Sequence, residues 1–368
     1  KRDSARTALV FMIKTFKLHI ESHFKKLLNA RFLLAVSGGL DSVVLAHLFS
    51  ECKIDFEIAH CNFNLRGKES DADAVFVEKL AEKLHVKFHL QNFDTEAYAQ
   101  DQKVSIQMAA RELRYHWFEE LCQLHHLPFL ATAHHAKDDL ETFLINLSRG
   151  SGLNGLTGIT AENDRLVRPL LPFSREEILT YAEANTLAWR EDSSNASDKY
   201  LRNHLRHHAI PALEEAAPQF LTQFQKSQQH LKETALLLED YTALLFSQIV
   251  TQSFKGYQFN IQKLKETPNT KAVLYQLLKD FEFTAWDDIY ELLDAQAGKY
   301  VATAKHRLIK DRDFLLLTEH QAETEEVLWY VDIEKVDLNG LTLMKENVDQ
   351  LTQLNKTEAI FDAEQLKF

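Results

Sequence analysis

Residues 31–50 read RFLLAVSGGLDSVVLAHLFS, an apolar run that leads through two adjacent glycines into an apolar segment of helical length. The run 31–36 is typical of a buried β-strand, and the segment 42–50 is typical of a helix packed in a core. Between them, Gly38 and Gly39 permit a tight turn that points successive backbone N–H groups at an anion. The N-terminus of the following helix adds the positive end of its dipole. This stretch therefore predicts an α/β fold with a phosphate-binding loop after its first strand.

The side chains of this loop supply the polar groups that an anion site needs. Ser37 and Ser42 carry hydroxyls, and Asp41 is placed to hold a metal ion on the phosphates. No Gly-Lys-Ser/Thr triplet follows, so the loop is not that of the common P-loop NTPases. A plain strand-to-helix turn, with Ser and Asp as caps, is the simpler alternative. The predicted anion-binding residues are Ser37, Gly38, Gly39, Leu40, Asp41 and Ser42.

Strand-like and helix-like segments alternate through the first half of the chain. The strand-like runs lie at 31–36, 54–60, 86–90 and 128–133, and the helical patterns at about 42–50, 70–84, 105–126 and 138–148. Such alternation predicts a parallel, Rossmann-like sheet with helices on both faces. Ligands bind at the carboxyl ends of the strands in such sheets, so we expect a functional site at that edge.

The second half of the chain follows a different pattern. Residues 219–249 predict one long helix, and helical segments continue to about 297. Residues 298–320 (GKYVATAKHRLIKDRDFLLLTEH) predict two strands, and the tail from 320 is acidic and β-like. The predicted fold class is thus α/β, with a parallel-sheet domain, a mainly helical second domain and the start of a small C-terminal domain.

Composition and charge exclude several classes of protein. The 368 residues are 45% hydrophobic and carry a formal net charge of −12, so an RNA partner must bind to local basic patches. The three cysteines, Cys52, Cys61 and Cys122, contain no CxxC pair for a zinc or iron–sulfur site. No apolar run approaches the roughly 18–20 residues that cross a bilayer. This composition fits a cytoplasmic protein, and a homodimer is one open option for its oligomeric state.

The motif SGGLDS resembles the signature of the PP-loop ATP pyrophosphatases, which cleave ATP to AMP and pyrophosphate by adenylating a substrate oxygen. Further stretches resemble those of the tRNA(Ile)-lysidine synthetases within that superfamily, in the same order. Phe63 stands where that family usually has a second His, and Asp139 where it has Gln. The similar stretches are HCNFNLRGKES (60–70), ARELRY (110–115), TAHHAKDDLET (132–142), RGSGL (149–153), RPLL (168–171), EDSSN (191–195) and RNHLR (202–206).

Five residues in these stretches are candidates for the chemistry, beside Asp41 of the loop. Asp138 and Glu141 share a helix face and are suited to bind a lysine ammonium group or magnesium. Arg111 and Arg114 also share a face and are suited to pair with phosphate or with the carboxylate of lysine. His134 is suited to contact AMP or to orient an acid. The alternatives are solvated caps, surface ion pairs and a buried structural histidine.

Residues 199–208 (KYLRNHLRHH) form the local basic patch that an acidic chain needs in order to bind RNA. A solvated helical face is the alternative. The residues assigned to binding of tRNA or lysine are Arg66, Asn195, Arg202 and Arg206. A second basic group in the 298–320 hairpin is predicted to contact the tRNA body, and consists of Lys299, Lys305, Arg307, Lys310 and Arg312.

The resemblance implies a two-step reaction that uses ATP and Mg²⁺. ATP adenylates the oxygen on carbon 2 of the wobble cytidine in a CAU-anticodon tRNA(Ile). The ε-amine of free L-lysine then displaces AMP to give lysidine, so that the anticodon reads AUA instead of AUG. The implied domains are an N-terminal helical extension (1–29), a PP-loop adenylation domain (30–215), a helical tRNA-binding domain (216–319) and a partial C-terminal domain (320–368).

Three alternative functions stay open at this point. A tRNA thiolase on the same core usually needs catalytic or cluster-binding cysteines, and the chain has no CxxC pair. An amidotransferase needs a source of ammonia, for which the sequence offers no candidate. A non-catalytic RNA-binding module is disfavoured because the loop residues Ser37 to Ser42 are intact.

Overall fold

The computed structural model describes residues 2–191, 201–319, 335–338 and 341–344, with side chains for 11–191 and 201–319. The chain forms two compact units, Lys1–Glu239 and Asp240–Phe368. The helices of the first unit are α1 (Arg2–His23), α2 (Leu40–Glu51), α3 (Lys68–Leu84), α4 (Thr95–Asp101), α5 (Ile106–Leu124), α6 (Ala136–Ser148), α7 (Leu153–Leu156), α8 (Arg175–Ala184), α9 (Leu201–His204) and α10 (Ile210–Ala216), with a π-helical turn at Leu205–Ala209. Helix α11 (Phe220–Ile249) contains the boundary between the units.

The first unit is built on a six-stranded sheet. Its strands are β1 (Phe32–Ala35), β2 (Phe56–Asn62), β3 (Phe88–Asn92), β4 (Leu130–Ala131), β5 (Glu162–Asn163) and β6 (Leu166–Val167), in the order β3-β2-β1-β4-β6-β5. All neighbours are parallel except β5 and β6 at the edge. The prediction of a parallel α/β sheet is therefore confirmed.

The order of the strands reverses beside β1, and this reversal locates the ligand site. Strand β2 pairs with one side of β1, whereas β4 pairs with the other, with Leu33 opposite Leu130 and Leu34 opposite Ala131. A crevice opens outside the carboxyl ends of the strands at such a switch point. The loop that follows β1 and the residues that follow β4 consequently lie next to each other.

Helix α1 belongs to the core of the first unit. Met12, Phe16 and Ile20 recur every fourth residue and are buried, and Phe16 makes an edge contact with Phe49 at 5.5 Å between ring centroids. The same cluster contains the buried residues of β1 and β2. Residues 1–29 were predicted as an N-terminal helical extension; this segment contains a helix, whose apolar face packs on the core. The domain boundaries predicted from the sequence otherwise stay predictions.

The second unit contains a five-stranded antiparallel sheet and helices beside it. The helices are α12 (Ile261–Glu266), α13 (Thr270–Leu278) and α14 (Trp286–Leu292). The strands are β7 (Val250–Ser253), β8 (Gly256–Asn260), β9 (Tyr300–Ala302), β10 (His306–Lys310) and β11 (Phe314–Glu319), in the order β7-β8-β11-β10-β9. Strands β12 (Lys335–Leu338) and β13 (Leu341–Met344) form a separate antiparallel pair.

The β7–β8 hairpin was not predicted, because helices were expected up to about residue 297. Strand β7 begins directly after α11 with no loop to mark the change, so the helical pattern hides its start. The turn needs Gly256, which has φ +126°, and a Cβ there would lie 2.1 Å from the carbonyl oxygen of Leu317. Among the helices in the described ranges, none has the length and apolar character to cross a membrane.

We expect Phe16→Ala to lower the free energy of unfolding by about 3–5 kcal/mol, because it empties a fully buried aromatic position. Leu18→Ala, on the same helix but 53% exposed, should change it by less than about 0.5 kcal/mol. Chemical denaturation followed by circular dichroism measures both values. Equal, small effects would show that α1 contributes nothing to the core.

Candidate active site

The loop after β1 is shaped to hold an anion. Gly38 has φ +92°, and a Cβ at this position would lie 3.3 Å from Cγ2 of Val77. Gly39 is the N-cap of α2 and provides no side-chain cap for the N–H groups of the first turn. The hydroxyls of Ser37 and Ser42 lie 3.3 Å apart, and Ser42 Oγ donates to the Gly39 carbonyl at 3.0 Å. Uncapped N–H groups and paired hydroxyls together form a cradle for phosphate.

Asp41 lies in the first turn of α2, and one of its two carboxylate oxygens is available to a ligand. Its Oδ2 is 3.6 Å from Nε2 of His135, whereas its Oδ1 is buried without a hydrogen-bond partner among the described residues. A buried carboxylate oxygen of this kind calls for a cation or a donor from a ligand. No group of three or more His, Cys, Asp or Glu side chains in the described ranges is arranged to hold a metal. The free oxygen of Asp41 therefore suits a cation such as magnesium, which prefers oxygen ligands.

His135 connects the phosphate loop to the start of α6. Its Nδ1 accepts a hydrogen bond from the backbone N–H of Lys137 at 3.2 Å, and Asp138 Oδ2 accepts one from the backbone N–H of His135 at 2.9 Å. Nε2 consequently carries the proton and lies between Asp41 and Asp138, at 3.6 and 3.7 Å. Burial alone would lower the pKa of His135, but the two carboxylates outweigh burial and raise it.

The adjacent His134 has the opposite electrostatic character. Its Nδ1 lies 3.0 Å from the hydroxyl of Thr132 at the end of β4. Burial lowers the pKa of His134 to about 4, and the charges of Arg168 and Arg202 act in the same direction against that of Asp138. The ring is therefore neutral near pH 7 and can exchange hydrogen bonds with a ligand without bringing a charge into the crevice.

The structure brings the predicted acids together with Arg206, which was assigned to a different role. Glu141 is 1% exposed and accepts two hydrogen bonds from Arg206, from Nε at 2.6 Å and from Nη2 at 2.9 Å. Nη2 also donates to Asp138 Oδ1 at 3.2 Å. A bidentate contact between arginine and a carboxylate is among the strongest hydrogen-bonded pairs that a carboxylate makes. Burial raises the pKa of Glu141, and Arg206 offsets only part of that rise.

Arg202 lies on the outer side of the same cluster. It donates from Nη2 to the hydroxyl of Thr142 at 3.0 Å, and its Nε is 3.7 Å from Glu141 Oε2. Of the other residues assigned to tRNA or lysine, Arg66 pairs with Asp73 at 2.7 Å, and Asn195 lies outside the described residues.

The two arginines of α5 contact aromatic rings rather than the acids. The guanidinium carbon of Arg114 is 5.1 Å from the ring centroid of Phe63, and that of Arg111 is 4.9 Å from the ring centroid of Tyr115. Phe63 also stacks on Phe93 at 5.6 Å. Within the part of the chain that the structure describes, no ion pair joins Arg111 or Arg114 to the α6 carboxylates, so their catalytic role stays a prediction.

Asp139, the second departure from the expected family pattern, makes contacts that connect parts of the fold. It is 4% exposed, its Oδ1 accepts from the backbone N–H of Ile159 at 2.5 Å, and its Oδ2 lies 3.7 Å from Nζ of Lys232. Burial raises its pKa against the effects of Ile159 and Lys232. The carboxylate thus ties α6 to α11 and to the glycine-rich loop at 149–159.

The basic residues predicted in the second unit divide into buried and exposed groups. Lys310 is 7% exposed and donates to the carbonyl oxygens of the next two residues, each at 2.7 Å. Its ammonium group therefore stabilises the turn that follows β10. Lys305 is neutralised by Glu282 at 2.9 Å. Arg307 stacks on Tyr300, with its guanidinium carbon 4.1 Å from the ring centroid.

None of the three cysteines is an activated thiol. Burial raises the pKa of Cys61 to about 12 and that of Cys122 to about 11. Burial also raises the pKa of Cys52. A thiolate is the reactive form of cysteine, so these side chains are poor candidates for thiol transfer.

Comparison with known proteins defines the class first. Residues 12–213 match the family model of the PP-loop domain, and residues 252–320 match that of the TilS substrate binding domain. A solved U34-tRNA thiolase, NcsA from Methanococcus maripaludis, has a similar fold, with a TM-score of 0.50 and 20% identity over 60% of this chain and 78% of that one. The fold and the loop are those of a PP-loop protein, a class that uses ATP.

The relatives then define the family. The chain is 37% identical to the tRNA(Ile)-lysidine synthase of Parabacteroides distasonis, over 97% of this chain and 82% of that protein. It is 37% identical to the tRNA(Ile)-lysidine synthase of Chlorobaculum tepidum, over 79% of this chain and 92% of that protein. The chain belongs to the tRNA(Ile)-lysidine synthase family, and it is a ligase of the PP-loop class.

We expect the pH dependence of stability to report the neutral state of His134. As the pH falls from 6.5 to about 4, the unfolded chain binds a proton that folded His134 does not, so the free energy of unfolding decreases. His134→Asn should remove this part of the slope, as measured by urea denaturation at several pH values. His116→Asn, whose ring is 78% exposed, is the matched control and should keep the full slope. Equal slopes for both variants would contradict the assignment.

Proposed function

We propose that this chain joins free L-lysine to carbon 2 of the wobble cytidine of a CAU-anticodon tRNA(Ile), at the expense of ATP. The product, lysidine, changes the codon that is read from AUG to AUA. One observation carries this proposal beyond family membership. The buried carboxylate of Glu141 and the half-buried carboxylate of Asp138 share Arg206, and Asp138 is linked to Asp41 of the phosphate loop through His135. A pair of acids at this point suits an amine substrate that must meet an adenylated acceptor.

In the first step, the oxygen on carbon 2 of cytidine attacks the α-phosphorus of ATP, and the bond to the β-phosphate oxygen breaks to release pyrophosphate. The N–H groups of the first turn of α2 and the hydroxyls of Ser37 and Ser42 would hold the phosphates. Magnesium at Asp41 would neutralise part of the charge on the leaving pyrophosphate. Neutral His134, at the end of β4, would contact the AMP portion.

In the second step, the ε-amine of lysine attacks carbon 2, the carbon–oxygen bond to AMP breaks, and the nitrogen loses a proton. The amine is nucleophilic only after deprotonation. Glu141 is suited to take that proton, because burial raises its pKa towards the range of an effective base. Burial would raise the pKa of Asp138, but His135, through its ring and its backbone N–H, and the charge of Arg206 lower it, so Asp138 stays ionised. It is therefore suited to hold the ammonium form as lysine arrives.

The basic residues would bind the anionic partners. Arg202 and Arg206 lie on the segment that covers α6, and we assign them to tRNA and to the lysine carboxylate. Arg111 and Arg114 on α5, with their neighbouring aromatic rings, would contact phosphate or an unstacked base. The second unit matches a substrate-binding family, and its exposed basic residues would contact the tRNA body.

The first experiment measures incorporation of radiolabelled lysine into two isoleucine tRNA transcripts, one with a CAU anticodon and one with UAU. We expect ATP-dependent label in the CAU transcript alone, because uridine has a 4-carbonyl group and a protonated N3 where cytidine has a 4-amino group and an unprotonated N3, so its oxygen on carbon 2 is less readily activated. Asp41→Asn should abolish label and pyrophosphate release together. Pyrophosphate release without label in either transcript would refute the proposed acceptor.

We expect Glu141→Gln to separate the two steps. It should lower the rate of lysine incorporation about 100-fold, because general-base catalysis typically contributes about 10²–10⁴-fold. ATP–pyrophosphate exchange with the CAU transcript should stay within about threefold of the unmodified enzyme, because the first step does not use this carboxylate. Glu176→Gln is the control, since Glu176 on α8 is 64% exposed and pairs with Lys137, which lies on α6 together with Glu141. A parallel loss of exchange and incorporation would contradict the role of Glu141.

A further inference from the structure

Asp73 on α3 is a buried carboxylate that the reaction described above does not use. It is 6% exposed, and each of its oxygens pairs with a different arginine. Oδ2 accepts from Nη2 of Arg66 at 2.7 Å, and Oδ1 accepts from Nε of Arg190. The two arginines come from loops that are far apart in the chain, so one carboxylate fixes both of them.

This cluster lies directly beside the phosphate loop. The backbone N–H of Arg190 donates to the carbonyl oxygen of Gly38 at 2.9 Å. Val77, one helical turn after Asp73, lies 3.3 Å from the position that a Cβ on Gly38 would occupy. Nδ1 of His60 lies 2.8 Å from the carbonyl oxygen of Val36. Burial lowers the pKa of His60, and the charge of Asp73 acts against that effect. The arginine pair is therefore attached to the same backbone that cradles the anion.

The charge of the cluster suits an anionic ligand. Two guanidinium groups pair with the buried carboxylate of Asp73, and Glu69, 60% exposed, is 3.9 Å from Arg66. The side chain of Arg190 is 37% exposed and its backbone N–H is bonded to Gly38 of the loop, so part of this side chain is open to solvent beside the loop. A guanidinium that is already fixed by a carboxylate loses little further freedom when it binds phosphate, which favours binding.

We propose that Arg190 contacts a phosphate of ATP beside the phosphate loop, and that Asp73 is the positioning residue that holds Arg190 and Arg66 for this contact. The inference rests on the proposed function in taking ATP as the ligand. The proposal adds Arg190 to the anion-binding residues. It also assigns Arg66 to the phosphate site rather than to binding of tRNA or lysine. The competing explanation is that the cluster only ties two loops together.

Titration calorimetry with the full chain tests the proposal, using a nonhydrolysable ATP analogue with Mg²⁺ and, separately, adenosine. We expect Arg190→Gln to raise the dissociation constant of the analogue about tenfold, as for the loss of one charge-assisted hydrogen bond. Adenosine binding should stay unchanged, because adenosine has no phosphate. Asp73→Asn should weaken binding of the analogue to a similar extent, again without an effect on adenosine.

The double variant shows whether Asp73 acts through Arg190. The dissociation constant of the double variant should equal that of whichever single variant binds the analogue less tightly. It should not rise by the product of the two single fold-changes, because the two side chains act as one unit. Asp71→Asn is the matched control, since Asp71 lies on the same helix and accepts a hydrogen bond from the neutral Asn62 at 3.0 Å. It should bind the analogue as the unmodified protein does.

Three results would overturn the proposal: unchanged analogue binding by Arg190→Gln, equal losses for analogue and adenosine, or independent effects in the double variant. Arg190→Gln replaces a partly exposed side chain, so it decides the question even where Asp73→Asn fails to fold. The binding assay contains neither tRNA nor lysine. Failure of the unmodified protein to incorporate lysine would therefore refute the proposed function and leave this inference standing.

Discussion

The parallel pairing of β1 with β2 on one side and β4 on the other is the constraint on which the functional site depends. Because the strand order reverses there, the segments that follow β1 and β4 emerge side by side, with no element of the sheet between them. Gly38 then bends the chain into α2, and His135 starts α6 within 3.6 Å of Asp41. Two motifs almost a hundred residues apart become one site through this topology alone.

The site concentrates ionised groups that would be costly to bury singly. Glu141 and Asp138 share Arg206, and Asp73 is covered by two arginines. Paired charges of this kind contribute little net stability, yet removing one partner leaves the other uncompensated. The arrangement is better understood as preorganisation, since groups fixed in advance need not reorganise when charge develops on the phosphates.

The sequence predicted the parallel sheet, the phosphate loop and the acids of α6, because glycine pairs, apolar strands and helical spacing are local signals. It did not predict that Arg206 pairs with Glu141, since that contact depends on how the segment that contains Arg206 packs against α6. His135 was missed because helix N-caps are usually Ser, Thr, Asp or Asn, so a histidine in that role has no clear signature. Asp73 was not singled out from the sequence, because helical spacing alone does not distinguish a buried acid from one on a solvated face, and in the structure it is 6% exposed.

The net charge of −12 opposes binding of polyanions over the surface as a whole, so the positions of the basic residues decide where a polyanion can bind. Arg66 and Arg190 flank the phosphate loop, whereas Arg202 and Arg206 cover α6. Charges farther away than about 8–10 Å are largely screened at physiological ionic strength. A phosphate in the crevice therefore responds to these guanidinium groups and the carboxylates paired with them far more than to the total charge of the chain. The acidic remainder of the surface then disfavours nonspecific binding of nucleic acid outside the site.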